Sequence, residues 1–317
     1  MSQPVTQETS ASQLTPLVIY HGPGCWDGFC AAWIARKHLR KLGEDNTPDE
    51  KSVEYLPAQY GDTKDFTALL EKVKNRRVFI LDFSYPKAVL LELAKSALSV
   101  LVLDHHQTAE QELKDCKADN LAIHFDRSKS GARLTHDYFF PDTAVSWLCR
   151  YTEDRDLWLH RQMDTHAVNA ALRSHPLSFK VWDDLASISH SQVKWCNFIH
   201  EGEAILREQA QYIAAKVKQA NDITLLGYQV PCVNTTYLTS EVAGKLAEGR
   251  PFAVAYFLTA DRWVFSLRSA ADGVDVSIVA KAFGGGGHKH ASGFTVHLDG
   301  ITALMESLWT AWPPSIP

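Results

Sequence analysis

Three short apolar runs in the first third of the sequence each end in residues able to bind metal. After Leu17-Val18-Ile19-Tyr20 come His21, Cys25 and Asp27; after Val78-Phe79-Ile80-Leu81 comes Asp82; after Val100-Leu101-Val102-Leu103 come Asp104, His105 and His106. If the runs are strands of one open parallel sheet, their C-terminal ends share an edge, and these side chains meet in one crevice. Carboxylates gathered that closely raise one another's pKa unless a cation lies among them. Carboxylate with imidazole is a donor set suited to Mn²⁺ or a related divalent ion. A single Asp after a strand is ordinarily a turn or cap, and a histidine pair is often only surface. The recurrence at three strand ends is what points to a metal site.

The elements that must position these residues are legible around them. Val53–Leu56 and Leu121–Phe125 complete five strand-like runs, and segments 28–42, 63–75 and 86–98 between them carry helix-period apolar positions. Strands apolar throughout, alternating with helices, predict a parallel sheet covered on both faces. From Thr135 to Gln219 the pattern is helical, with Glu201–Gln219 reading as one long helix. Beyond Asn221-Asp222 the pattern changes to a hairpin around a Gly-Tyr turn, a helix at Ser240–Glu248 and two strands flanking Ala260-Asp261-Arg262. The expected fold class is therefore α/β: a parallel-sheet N-terminal domain, a helical connector and a smaller mixed α/β C-terminal domain. The expected boundaries are a disordered N-terminus at 1–15, a metal-binding domain at 16–195, a connecting helix at 196–221 and a second domain at 222–317.

In the second domain, Gly284-Gly285-Gly286-Gly287-His288 follows a helix-like stretch, Val276–Phe283. A glycine run admits positive φ and lets several N–H groups approach one anion. Because it follows a helix, it is not a dinucleotide-binding fingerprint. Ser130-Gly131-Ala132 reads as a Ser-capped helix start, and His136-Asp137 lacks the companions another metal phosphohydrolase class requires. Of the nine tryptophans, those in the helical middle (147, 158, 182 and 195) read mostly as core, with one available to stack on a base.

These residues resemble the DHH phosphoesterase superfamily, named for the triplet seen here as Asp104-His105-His106, and its DHH-associated C-terminal domain, marked by the glycine run and His288. The likeness spans about residues 17–297, and the compact two-domain chain is most similar to the nanoRNase and 3'-phosphonucleotide phosphatase group. The resemblance implies one metal held by Asp27, Asp82, His105 and Asp154, the last favoured over Asp156. It implies a second metal at His21, Asp82 and position 25, where the family pattern has Asp and this chain has Cys25. A thiolate there is a softer ligand, and the competing reading is a small buried side chain beside Trp26. Asp104 would orient the neighbouring imidazole and His106 would face the phosphate. Gly285, Gly286, Gly287 and His288 would hold a substrate phosphate, with Arg268 on phosphate or base. The cofactor expected is Mn²⁺, one or two ions.

Composition narrows the partners. A net charge of -5 argues against coating long nucleic acid, which needs a broad basic surface. Six cysteines without a CxxC pair read as reduced thiols in a cytoplasmic compartment. The polar start lacks a signal-peptide core, and no apolar run approaches membrane-spanning length. The expected partner is a short oligonucleotide or nucleotide, neither membrane nor long nucleic acid, with a homodimer admitted. The expected reaction is hydrolysis of very short oligonucleotides to nucleoside monophosphates in an interdomain cleft, an exonuclease-like activity. Its alternatives are a 3'-phosphonucleotide phosphatase, a cyclic-dinucleotide phosphodiesterase, or a non-catalytic nucleotide-binding or sensing protein.

Overall fold

The structure is a computed structural model of the 317-residue chain, describing residues 15–43, 53–59 and 65–298. The expected disordered N-terminus, all but residue 15, lies outside the described residues, as do the start of the 63–75 helix and the chain beyond 298. The chain divides into two compact units, Met1–Phe198 and Ile199–Pro317.

The first unit carries β1 (Leu17–His21), α1 (Trp26–Lys41), β2 (Glu54–Ala58), α2 (Phe66–Val73), β3 (Arg77–Leu81), α3 (Lys87–Ser96), β4 (Ser99–Asp104), α4 (Gln107–Leu113) and β5 (Leu121–Phe125). Five helices follow: α5 (Gly131–Phe139), α6 (Trp147–Asp156), α7 (Thr165–Ser174), α8 (Phe179–Ala186) and α9 (Gln192–Val217). The strands form one parallel sheet in the order β2-β1-β3-β4-β5. From β1 the chain winds to β2 on one side and then crosses to β3 on the other. The strand order reverses between β1 and β3, and an open α/β sheet binds its ligands outside the strand C-termini at such a point. His21 and Asp82 flank that point.

Alternation along each strand assigns the faces. Leu17, Ile19, Val78, Ile80, Val100 and Val102 pack with Leu69, Val73, Leu90, Leu93 and Leu113 of α2, α3 and α4. The opposite face meets α1 and α5, where Phe79 lies edge-on to Phe139, and α6 packs on those two helices. Ala31, Ala32 and Ala35 of α1 are fully buried, and their small side chains let that helix lie close to its neighbours. β5 alternates half-buried with exposed residues, as an edge strand does.

The second unit holds β6 (Asn221–Leu225), β7 (Tyr228–Asn234), α10 (Thr239–Leu246), β8 (Ala253–Leu258), β9 (Arg262–Arg268), α11 (Val276–Ala282), β10 (Gly286–His288) and β11 (Ala291–His297). Its sheet runs β10-β11-β9-β8-β7-β6, antiparallel except for the β7–β8 pair bridged by α10. The long helix begins at Gln192, nine residues before the expected Glu201. Trp195 and Phe198 at its start lie edge-on to Trp147, and Tyr212, Ile213 and Val217 near its end pack against the Val233–Val242 core of the second unit.

Candidate metal centre

Asp82 is the hub of the first unit's strand edge. It sits one residue past β3 with φ of 56°, in left-handed backbone that Asp tolerates at some cost, and its N–H donates to the Leu103 carbonyl. That turn aims a fully buried carboxylate between two imidazoles. Asp82 Oδ2 lies 3.5 Å from His21 Nδ1, and Asp82 Oδ1 lies 3.2 Å from His105 Nε2. The His105 contact is off the line a hydrogen bond needs, so Oδ1 is buried without a donor. A cation would satisfy that oxygen.

Two sets of donors converge around Asp82. Asp27, His105 and Asp156 each offer an atom within 4.8 Å of the others, and so do His21, Asp82 and His106. His105 Nε2 lies 3.9 Å from Asp27 Oδ2 and 3.6 Å from Asp156 Oδ2. Mixed carboxylate and imidazole donors fit hard to intermediate divalent ions: the first set with Asp82 suits one ion and His21 with Asp82 a second, leaving His106 beside them. Charge is distributed accordingly. Burial works against an ionised Asp82, but the neighbouring His105 and His21 imidazoles outweigh it and hold its carboxyl well below the usual range. Desolvation, with the charges of Asp82 and Asp156, pushes Asp27 well above that range. Asp156, the exposed member, is pushed up by desolvation, partly offset by His105 and reinforced by Asp82. For His105, burial opposes the proton, but Asp82, Asp156 and Asp27 together raise its pKa to about 10.

Asp27 has a second set of partners. Its oxygens accept the N–H of Gly131 at 2.6 Å and of Ala132 at 3.1 Å, the first amides of α5, while Ser130 caps the same helix through Arg133 N–H. The Ser130 start is thus a cap, as its sequence reads, and also the cradle of a ligand. Gly131 is required there: a Cβ would fall 2.4 Å from Asp82 Cβ and 2.5 Å from Asp82 Oδ1. Gly28 is equally confined, since a Cβ would lie 2.2 Å from the His21 carbonyl oxygen. Neither glycine was singled out from sequence; the only signal was a small residue beside a cap or an acid.

Asp104 is fully buried and accepts from Ser84 Oγ at 2.6 Å, from the N–H groups of His105 and His106, and from His106 Nδ1 at 2.7 Å. Burial raises its pKa, but His106 and Ser84 outweigh it and keep the carboxyl ionised. The imidazole that Asp104 holds through its side chain is therefore that of His106. Ser84 is a partner the sequence reading did not include.

The structure brings Asp156 rather than Asp154 to His105. Asp154 is buried, and its carboxylate accepts the N–H groups of Arg161 at 2.7 Å and Gln162 at 3.3 Å, tying down the turn after α6. Asp156 is the residue beside His105. Two positions along a helix turn a side chain by roughly 200°, so only one of the pair can face the sheet edge. Cys25 caps α1, its sulfur accepting Gly28 N–H at 3.4 Å, and its thiol donates to Asp82 Oδ2 at 3.4 Å. Burial first, then Asp82, Asp27 and Asp156, push that thiol up, so with no cation to offset them Cys25 is a neutral donor.

In the second unit, the glycine run is not an open anion loop. The N–H groups of Gly284 and Gly285 close the end of α11 on Lys281 and Ala280, and Gly286 and Gly287 pair with Gly293 and Ser292. Gly285 packs so closely that a Cβ would lie 2.1 Å from the Gly293 carbonyl oxygen. His288 ends β10, its carbonyl accepting Ser292 Oγ. Arg268 ends β9 and is held by Ser240 Oγ at 2.6 Å, Ser266 Oγ and the Leu267 carbonyl.

Comparison with known proteins agrees with both units. Residues 235–311 match the DHHA1 domain model. A solved structure described as the DHH domain of a member of the s1p family of ribosomal proteins superposes with TM-score 0.58 at 11% identity, covering 93% of this chain and 85% of that one. The second unit thus carries a match to the DHHA1 domain, and the fold of the chain is similar to that of a DHH domain. An uncharacterized protein of Acanthamoeba polyphaga mimivirus is 29% identical over 306 residues, 92% of this chain and 70% of that protein. A pGpG-specific phosphodiesterase from Vibrio cholerae aligns at 14% identity with TM-score 0.48, over 93% of this chain and 98% of that one. Among the described residues, no helix is long and apolar enough to cross a membrane.

Three outcomes are expected. Gly131→Ala should destabilise the first unit by about 1–3 kcal/mol, the usual cost of overpacking, and reduce bound metal; an unchanged melting temperature and metal content would contradict the cradle. Asp156→Asn should remove one ion from the metal count and lower turnover at least about 100-fold, the scale of losing a key electrostatic group. Asp154→Asn should keep that ion while loosening the turn it anchors, and the reverse pattern would restore Asp154 as the ligand. Finally, His105 must lose its proton to bind metal, so uptake at pH 7 should release about one proton or more, and affinity should climb about tenfold per pH unit below 10. Titration calorimetry in buffers of different ionisation enthalpy reads this directly, and pH-independent affinity would refute it.

Proposed function

We propose that the protein hydrolyses the phosphodiester bond of very short oligonucleotides, releasing nucleoside monophosphates. The observation that carries this reading is the pair of donor sets on either side of Asp82, next to a histidine fixed by a buried carboxylate. Two divalent ions held by such a set, Mn²⁺ being the preferred candidate, supply Lewis acidity and make water nucleophilic at neutral pH. The chain's own residues do the rest. Asp82 stays ionised between His21 and His105, and Asp27 is held on the α5 amides. Burial disfavours a charged His106, but Asp104 more than offsets this and raises its pKa. With Nδ1–H donated to the ionised Asp104, His106 keeps its second nitrogen to donate to a phosphate oxygen or to protonate the departing one. Such groups are preorganised because their partners are already in place before substrate arrives.

A short substrate is favoured by charge, since a net charge of -5 leaves the neutralisation of phosphate to the metal centre rather than to a basic track. His288 and Arg268 are proposed to hold the non-reacting end of the substrate. With Mn²⁺ or Mg²⁺ present, turnover should be highest on dinucleotides and fall steeply toward strands tens of nucleotides long. A panel containing a dinucleotide, a 3'-phosphorylated nucleotide, a cyclic dinucleotide and a long single strand decides among the enzyme readings. Efficient degradation of the long strand would overturn the short-substrate reading, and binding without turnover on any member would mark a sensing protein.

A further inference from the structure

The turn after α6 is held in an unusual shape with nothing in the metal centre's needs to explain all of it. Trp158, His160 and Asp164 lie in left-handed backbone at φ of 57°, 52° and 54°, a conformation that costs each non-glycine residue energy and concentrates at ligand sites. Asp154 maintains it. Its carboxylate accepts the amides of Arg161 and Gln162, and its carbonyl accepts those of Leu159 and His160. What this anchored turn presents is an indole: Trp158 is 52% exposed, unlike Trp26, Trp33, Trp147, Trp182, Trp195 and Trp263, which are buried or half-buried. The Trp158 ring is braced rather than loose. His160 stands edge-on to it at 4.8 Å, and the Arg155 guanidinium lies 5.6 Å from its centre.

Position adds the second half of the argument. Trp158 follows Asp156 by two residues, which limits the separation of their Cα atoms to about 7 Å. Asp156 Oδ2 lies 3.6 Å from His105 Nε2. That Cα separation is on the scale of the spacing between a phosphodiester and the base it carries, and the indole on it is exposed and braced. We propose that Trp158, braced by Arg155 and His160 on the turn that Asp154 anchors, is the stacking platform for a nucleobase next to the scissile phosphate. Stacking on a flat ring tolerates all four bases, because each has a π face. The platform thus selects for a nucleotide over a bare phosphoester without selecting a sequence. Asp154 is then a positioning residue for this platform.

This inference rests on the phosphodiesterase reading, and the test separates the two. Steady-state kinetics of the metal-loaded full chain are compared on a dinucleotide and on its counterpart with an abasic ribose beside the scissile phosphate. Trp158→Ala should raise KM for the dinucleotide roughly 5- to 150-fold, the range that base–aromatic stacking gives on alanine substitution. It should leave the abasic substrate unchanged, so that the variant no longer distinguishes the two. Trp158→Phe should recover most of the lost affinity, and Asp154→Asn should lose discrimination while retaining the metal count. Equal kinetics of wild type and Trp158→Ala on both substrates would overturn the platform and leave the phosphodiesterase reading intact. Failure of the wild type to hydrolyse either substrate would sink that reading and the platform with it.

Discussion

A carboxylate that stays ionised out of water, beside two more carboxylates, is the constraint around which the first unit is organised. Asp82 can do so because His21 and His105 lie within 3.5 Å of its oxygens. The sheet order brings it beside His21, the left-handed turn after β3 aims it, and the absent side chain at Gly131 lets α5 begin against it. Desolvation and the neighbouring carboxylates push Asp27 and Asp156 upward, and attraction to those carboxylates outweighs burial and raises His105 to about 10. A divalent cation relieves that repulsion for every member, which makes the cluster both poorly suited to stand alone and well suited to bind metal.

Around this centre the helices serve as donors of N–H groups as much as packing layers. The first turn of α5 binds Asp27, and the turn after α6 binds Asp154. The two carboxylates differ in what remains to them. Asp27 still stands within 4.8 Å of His105 and Asp156 donors, whereas Asp154 is given over to shaping the chain. Asp104 follows a third pattern, giving its oxygens to Ser84, two amides and His106. Each acid is thus sorted by its partners: Asp27 stays in the candidate donor set, Asp154 holds backbone and Asp104 holds an imidazole.

Much of this was legible in the sequence because a buried parallel strand must be apolar along its length, and polar residues at its end then stand out. His21, Asp27, Asp82, Asp104, His105 and His106 stand out in that way, and the structure gathers them at one strand edge. Asp154 and Asp156 were not separable, since both sit in the last turn of α6 and the deciding contacts come from a turn whose left-handed residues carry no glycine. Gly131 was unreadable for a different reason: its importance is a close approach to Asp82 from far along the chain, whereas locally it is any residue after a capping serine. The glycine run shows the opposite limit. Its flexibility suggested open amides, but two of them finish α11 and the following residues pair with β11. Composition suggests what backbone is permitted, and only the fold says what the amides are bonded to.

The double duty of Asp27 has a spectroscopic consequence. The Gly131 and Ala132 amides end directly on a carboxylate of the metal centre, so any change in that carboxylate's charge or ligation alters the electron density and exchange of two backbone protons. They report occupancy of the centre from inside the protein, without substrate, turnover or a coloured metal. Glycine amides also resonate in a sparse region of the nitrogen spectrum, so Gly131 is a natural probe for following how the centre fills.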